Sequence, residues 1–197
     1  VMLGFFATAE DVGVYRVVSL GASQVCFTLS AVNAVIAPQI SQLYASGDHE
    51  RLQRMVTISA RVILLTALPV AGTLIAFGSP LLSMVFGAEY AVGGRTLAIL
   101  SLGQLFNAGM GSVGLLLNMT GHERDTARGL AVAAAGNVLL NLLLVPPFGI
   151  EGAAAATVVT YGIWNVVLAR QVYRRLGVVS LGITPPRRGS KSKCSPS

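Results

Sequence analysis

The stretch RGLAVAAAGNVLLNLLLVPPFGIEGAAAATVVTYGIWNVVLAR, residues 128–170, decides the fold. Between Arg128 and Arg170 its one charge is Glu151, which follows Pro146-Pro147-Phe148-Gly149, a run that reads as a tight turn. The turn leaves two apolar segments, each long enough, or nearly so, to cross a hydrocarbon core of about 30 Å at 1.5 Å per helical residue. Working outward, the same pattern recurs between Arg16 and Asp48, Arg61 and Glu89, and Arg95 and His122. The sequence therefore predicts an all-α, polytopic membrane helix bundle with spans at about residues 15–37, 61–77, 96–119, 129–145 and 152–171.

Threading these spans in order sorts the charges. Arg51, Arg54, Arg61, Arg124, Arg128, Arg170, Arg174, Arg175, Arg187, Arg188, Lys191 and Lys193 fall on one side, and Arg16 and Arg95 on the other. Glu10, Asp11, Glu89 and Glu151 lie opposite Asp48, Glu50, Glu123 and Asp125, so the acids divide evenly while the bases do not. Orientation follows Lys and Arg rather than net charge, which places the basic side and the C-terminus in the cytoplasm.

Composition agrees. The chain is 53% hydrophobic and 11% charged with mean hydropathy +0.69, against about 25% charged in soluble proteins. The +6 net charge belongs to loops and a tail facing anionic lipid, so the bilayer is the expected partner and nucleic acid is not. Cys26 falls within a span and Cys194 in the tail, so no disulfide is expected, and no His or Cys stands at metal-ligand spacing. No metal and no cofactor are predicted. Nor is there a phosphate-binding loop or any pairing of His49 or His122 with a carboxylate or thiol, so the chain does not read as an enzyme.

Val1 to Ala9 reads as the outer end of a sixth helix whose beginning lies upstream, and residues 10–13 as an outer turn. Pro38 is expected to end the first span. Asp48 caps an amphipathic segment bearing Arg51 and Arg54 on its wet face. Pro69 with Gly72 predicts a bend, serving either static packing or a transport hinge. Residues 78–80 are expected to break the second span. Residues 1–177 form the bundle, and residues 178–197 a basic, disordered cytoplasmic tail.

No Asp, Glu, Lys or Arg lies deep in a span, where one would mark an ion pathway. That leaves Asn33, Gln104, Asn107, Asn137 and Asn141 as candidate path residues, able to bond sugar hydroxyls or to tie helices together. Arg95, at the outer mouth of the third span, can meet a phosphate or anchor at the interface. Gly103, Asn107 and Gly111 predict one small, polar stripe on the third span, and the start of the fifth, residues 152–156, admits a close neighbour.

Several short motifs in order carry a family resemblance. They are Val12-Gly13-Val14-Tyr15-Arg16, Ala37-Pro38-Gln39-Ile40-Ser41 with Tyr44 and Gly47-Asp48, Pro69 in mid-helix, Phe86-Gly87 with Tyr90, Asn118-Met119-Thr120-Gly121-His122, Asn137 with Asn141, and Phe148-Gly149-Ile150-Glu151-Gly152-Ala153-Ala154. Over residues 1–177 the chain resembles the C-terminal part of oligosaccharide or O-antigen flippases, the polysaccharide transporter group of the multidrug/oligosaccharidyl-lipid/polysaccharide exporter superfamily. The resemblance implies most of the second bundle of a two-bundle flippase in a bacterial inner membrane, with an N-terminal bundle as partner. It implies a lipid-linked oligosaccharide on a polyprenyl diphosphate as substrate, moved by alternating access for polysaccharide or lipopolysaccharide synthesis. Alternatives in the same superfamily are a cation-coupled multidrug pump, which would be expected to carry membrane-embedded carboxylates, and a lipid II flippase, which would carry basic cavity residues.

Overall fold

A computed structural model describes residues 8–178, and every regular element among them is helical. Helix α1 (Ala9–Ser23), a 3-10 turn (Gln24–Cys26) and α2 (Phe27–Ala45) follow one path, and α3 (His49–Phe86) returns. A second 3-10 turn (Ala88–Gly93) leads into α4 (Gly94–Met110), then come α5 (Val113–Met119) and the long α6 (Glu123–Leu176). The expected end of an upstream helix and the expected tail fall outside the described residues, apart from Thr8, Ala9 and Val178.

Local chemistry moves several expected boundaries. Residues 10–13 are not a turn but the first turns of α1. The Thr8 hydroxyl accepts from the Asp11 N–H at 3.2 Å while the Asp11 carboxylate accepts from the Thr8 N–H at 3.2 Å. Glu10 and Asp11 lie where the helix dipole favours negative charge. Pro38 does not end α2, which continues to Ala45; proline removes one donor there without stopping the helix.

Within α3 the residue that leaves helical geometry is Phe77 (φ −120°, ψ 18°), well past Pro69. The cause is Pro80, whose ring crowds the carbonyl four residues earlier, on Ala76, and distorts the next residue. The chain is helical again beyond it, so residues 78–80 bend the second span without breaking it. Gly87 then stops the helix with φ 113°.

The third span is discontinuous. Gly111 takes φ 71° and ψ −153°, separating α4 from α5, and the path through residues 88–110 and 113–119 bends by 44°. Only glycine adopts that backbone region readily, and no proline in the sequence announced it.

By length and apolar character three helical paths can cross a membrane, and the α4 and α5 pair makes a fourth. The fifth crossing comes from α6, which folds back at Gly149 (φ 54°, ψ −130°). Arg175 Nε lies 3.1 Å from Asp125 Oδ2, Leu168 and Trp164 pack over Gly129, and Asn137 Nδ2 donates to Thr160 Oγ1 at 3.1 Å. Gly152 comes so near that an added Cβ would stand 2.1 Å from the Leu144 carbonyl oxygen. Partners fall along one arm as they rise along the other, so residues 123–148 and 150–176 form an antiparallel pair.

Two clusters mark the ends of the bundle. Ile40, Leu52, Leu117 and Val172 pack at one end, while Val14, Leu82, Leu97 and Ala154 pack toward the other. Eight of the ten described arginines belong to the first end, and Arg16 and Arg95 to the second. Between them Val25, Ala67, Ala71 and Ala108 are buried, while Leu65, Met84 and Leu143 are 68%, 87% and 70% exposed. A water-soluble protein would hide the large side chains. Here alanines let helices approach and large apolar groups face outward, as lipid requires. The chain is a multi-pass membrane protein.

Candidate functional site

A polar seam crosses the interior of the bundle. Its centre is Cys26, at the end of the 3-10 turn where α1 passes into α2. The Cys26 thiol donates to Gln104 Oε1 at 3.2 Å and lies 3.4 Å from the Gln104 carbonyl oxygen. Asn107 Nδ2 approaches the same sulfur at 3.5 Å. From the second arm of α6, Asn165 Nδ2 donates to Asn107 Oδ1 at 2.8 Å and to its own helix at the Tyr161 carbonyl at 2.9 Å. Three elements thus meet through neutral groups.

Helical spacing explains the assembly. Gln104 and Asn107 are three residues apart and share a face of α4, as Tyr161 and Asn165 do on α6. Gly103 allows the two helices to close, because an added Cβ would lie 2.6 Å from Val158 Cγ2. The seam extends to the break after α4, where the Ser112 hydroxyl donates to Asn33 Oδ1. Toward the other end the Tyr15 hydroxyl and Thr157 Oγ1 are 3.1 Å apart.

Of the residues singled out in the sequence, Gln104 and Asn107 therefore come together at Cys26, and Asn33 joins Ser112 farther along. Asn137 and Asn141 do not join them. Asn137 bonds Thr160 across the α6 hairpin, and Asn141 donates to the Asn137 carbonyl at 2.8 Å and its side-chain oxygen at 3.0 Å. Arg95 is exposed in the first turn of α4 and has no ion-pair partner among the described residues. Pro69 lies in helical backbone, its carbonyl accepting from Thr73 Oγ1 at 2.9 Å, and Gly72 has open space where a side chain would project.

Sequence reasoning missed Cys26, Ser112, Tyr161 and Asn165. Asn165 is the most consequential: it is 1% exposed and its Oδ1 has no hydrogen-bond partner. A polar residue four positions after Tyr161 within an apolar span was the available signal. Thr96 and Ser101 also bury hydroxyl oxygens without partners on α4.

The neutral groups of the seam can exchange hydrogen bonds with one another or with a polar ligand. No metal-holding group of side chains occurs among the described residues. Neutral amides cost far less to bury in a bilayer than charges, and their bonds are weak, near 0.6 kcal/mol each on average. Such a seam holds helices together and still lets them part.

Residues 23–187 match the family model described as lipid II flippase MurJ. The chain is 26% identical over 167 residues to the "Probable low-salt glycan biosynthesis flippase Agl15" of Haloferax volcanii, covering 85% of this chain and 35% of that protein. It is 29% identical over 163 residues to an uncharacterized membrane protein of Methanocaldococcus jannaschii, covering 82% and 32% respectively. It is 27% identical over 177 residues to the "Probable flippase AglR" of Haloferax volcanii, covering 86% and 36%. The chain spans about a third of the length of the curated relatives it matches. No solved structure gives a significant match.

Proposed function

The chain belongs to the MurJ flippase family, and from that premise we propose that it forms part of a flippase carrying an oligosaccharide on a polyprenyl diphosphate across the plasma membrane by alternating access. The match to the family model carries the flippase part of this reading. The neutral seam supports it, because amides and hydroxyls suit sugar groups and exchange partners at low cost. In this reading Asn33, Gln104 and Asn107 border the path, Asn137 and Asn141 brace the hairpin beside it, and Arg95 waits for phosphate at the outer mouth. Pro69 and Gly72 give α3 its compliance, with Phe77 as the resting bend. A further helical bundle of the same protein supplies the facing wall and the cations that a diphosphate needs.

The basic end lies in the cytoplasm in this proposal, by the preference of Lys and Arg for that side. The product then serves polysaccharide assembly outside, lipopolysaccharide and O-antigen included where the host is bacterial. Reporter fusions at Gly47 and Gly149 should show opposite sidedness. Identical sidedness would overturn the topology.

Lipid II is the second reading, favoured by the description of the matched family. Two of the relatives are instead named as flippases without it, one of them for glycan biosynthesis. The experiment is depletion of the protein in its host. Lipid-linked oligosaccharide should then accumulate where an impermeant glycosidase added outside cannot reach it, and lipid II should remain reachable. Accumulation of lipid II alone would establish the second reading, and unchanged distribution of both would defeat the flippase assignment.

A further inference from the structure

At the basic end the α6 hairpin carries an open polar cavity of about 380 Å³, lined by Asp125, Arg128, Gln171, Arg174 and Arg175. Asp125 is 7% exposed. Its carboxylate meets Arg175 Nε at 3.1 Å and Arg128 Nη1 at 3.7 Å. Arg174 has no ion-pair partner among the described residues. Two guanidinium groups therefore share one carboxylate beside a third, and the cavity keeps a surplus of positive charge.

Gln171 adds a second observation. Its Oε1 is buried and has no hydrogen-bond partner. The amide has one face to give, and turned about its last bond it offers N–H donors instead. An unspent amide beside unspent guanidinium groups suits an oxyanion.

The place narrows the ligand. Gly129, Trp164 and Leu168 form the apolar layer just inside the cavity, and Trp164 is the one tryptophan of the chain. Tryptophan collects at the level of the headgroups, so the cavity opens where lipid phosphates lie. Arginine forks match phosphate oxygens two at a time, and basic pockets between membrane helices hold phosphorylated headgroups.

We propose that Arg128, Gln171, Arg174 and Arg175, ordered around Asp125, bind the phosphate of a membrane lipid at the basic end of the α6 hairpin. The phosphate belongs to an anionic phospholipid or to the diphosphate of a lipid-linked saccharide. Retention of lipid by the protein, read without transport, tests the site independently of the flippase assignment.

The complete protein is purified from membranes, equilibrated with equal amounts of phosphatidylglycerol and phosphatidylcholine, and weighed by native mass spectrometry. A parallel sample receives a polyprenyl diphosphate. Phosphatidylglycerol should be retained over phosphatidylcholine, inorganic diphosphate should displace it, and R128Q with R174Q should weaken retention about fivefold for each arginine removed. Loss of the polyprenyl diphosphate alone in that variant would support the same site with the saccharide carrier as its source. R170Q, beyond the cavity, should change neither. Equal loss in R170Q, or full retention of both lipids in the double variant, would overturn the proposal, as would failure of inorganic diphosphate to compete with the unaltered protein.

Discussion

The α6 hairpin and the seam around Cys26 both join helices inside the same bundle, but by different physics. Near its turn the hairpin joins residues close in sequence through lack of bulk: Gly152 touches the Leu144 carbonyl, and Ala153, Ala154 and Ala156 are buried beyond it. The seam joins distant residues through hydrogen bonds, Cys26 to Gln104, Asn107 to Asn165 and Asn33 to Ser112. Steric fit cannot be traded for another partner, whereas a hydrogen bond can. The hairpin is therefore the rigid unit, and the seam the place where helices can change their company.

The largest expected effect breaks the hairpin. Gly152→Ala forces a Cβ against backbone rather than against a yielding side chain, and should cost about 3 kcal/mol or more. Thermal melting of the detergent-solubilised protein, followed by size-exclusion chromatography, reads the loss. Gly136→Ala is the matched control on the same hairpin, because nothing lies within 4 Å of its added Cβ. It should hold or slightly raise stability, by up to about 1 kcal/mol from helix propensity. Equal melting of the two variants would remove the close contact from the account.

Next is the break in the third span. Gly111→Ala keeps every side-chain contact of the seam but places a Cβ at φ 71°, ψ −153°, a strain of about 1–3 kcal/mol. The relieved state is a straighter helix through residues 94–119. Melting should fall modestly while transport of the lipid-linked saccharide falls much further, since straightening moves Ser112 away from Asn33. A variant with unaltered transport would show that the break is incidental.

These two glycines also show what the sequence could reveal. The Gly152 contact was legible, because a turn followed by a run of small residues implies a hairpin whose arms nearly touch. The alternation of charged and apolar segments likewise gave the bundle and its two unlike ends. Gly111 was read as part of a small stripe instead of a break, since glycine in a span serves either role and only backbone dihedrals distinguish them. Proline misled in the opposite direction: Pro38 and Pro69 sit within helices, and the bend attributable to Pro80 appears three residues earlier, at Phe77. Asn107 was visible as a polar residue, but its partners Cys26 and Asn165 lie 81 and 58 residues away in sequence. Nothing in local pattern pairs groups so far apart.

A smaller effect measures the seam directly. Asn165→Leu leaves Asn107 Oδ1 without its donor, and Asn107→Leu leaves Asn165 with its helix carbonyl alone. The double variant should be more stable than the sum of the two losses predicts, by about 0.6 kcal/mol and at most about 1.7 kcal/mol. Additive losses would mean that the two amides do not act as a pair. Neither single variant should alter the hairpin, which a cysteine cross-link between its arms can report.

The smallest effect lies at the end of the seam nearest Arg16. Tyr15→Phe removes one hydroxyl, and Thr157 keeps its second bond, to the Ala153 carbonyl at 2.9 Å. No polar atom is left stranded, so the cost should be near the average membrane hydrogen bond, about 0.6 kcal/mol. Because Tyr15 packs beside Val145 and Ala153, the ring stays in place and the variant isolates the hydrogen bond between α1 and the hairpin. If the seam is the part that yields during transport, loosening its outer end should raise the rate of saccharide transfer even as melting falls slightly. If instead both fall together, the outer contact belongs with the rigid hairpin, and the boundary between the two regions moves inward to Gln104.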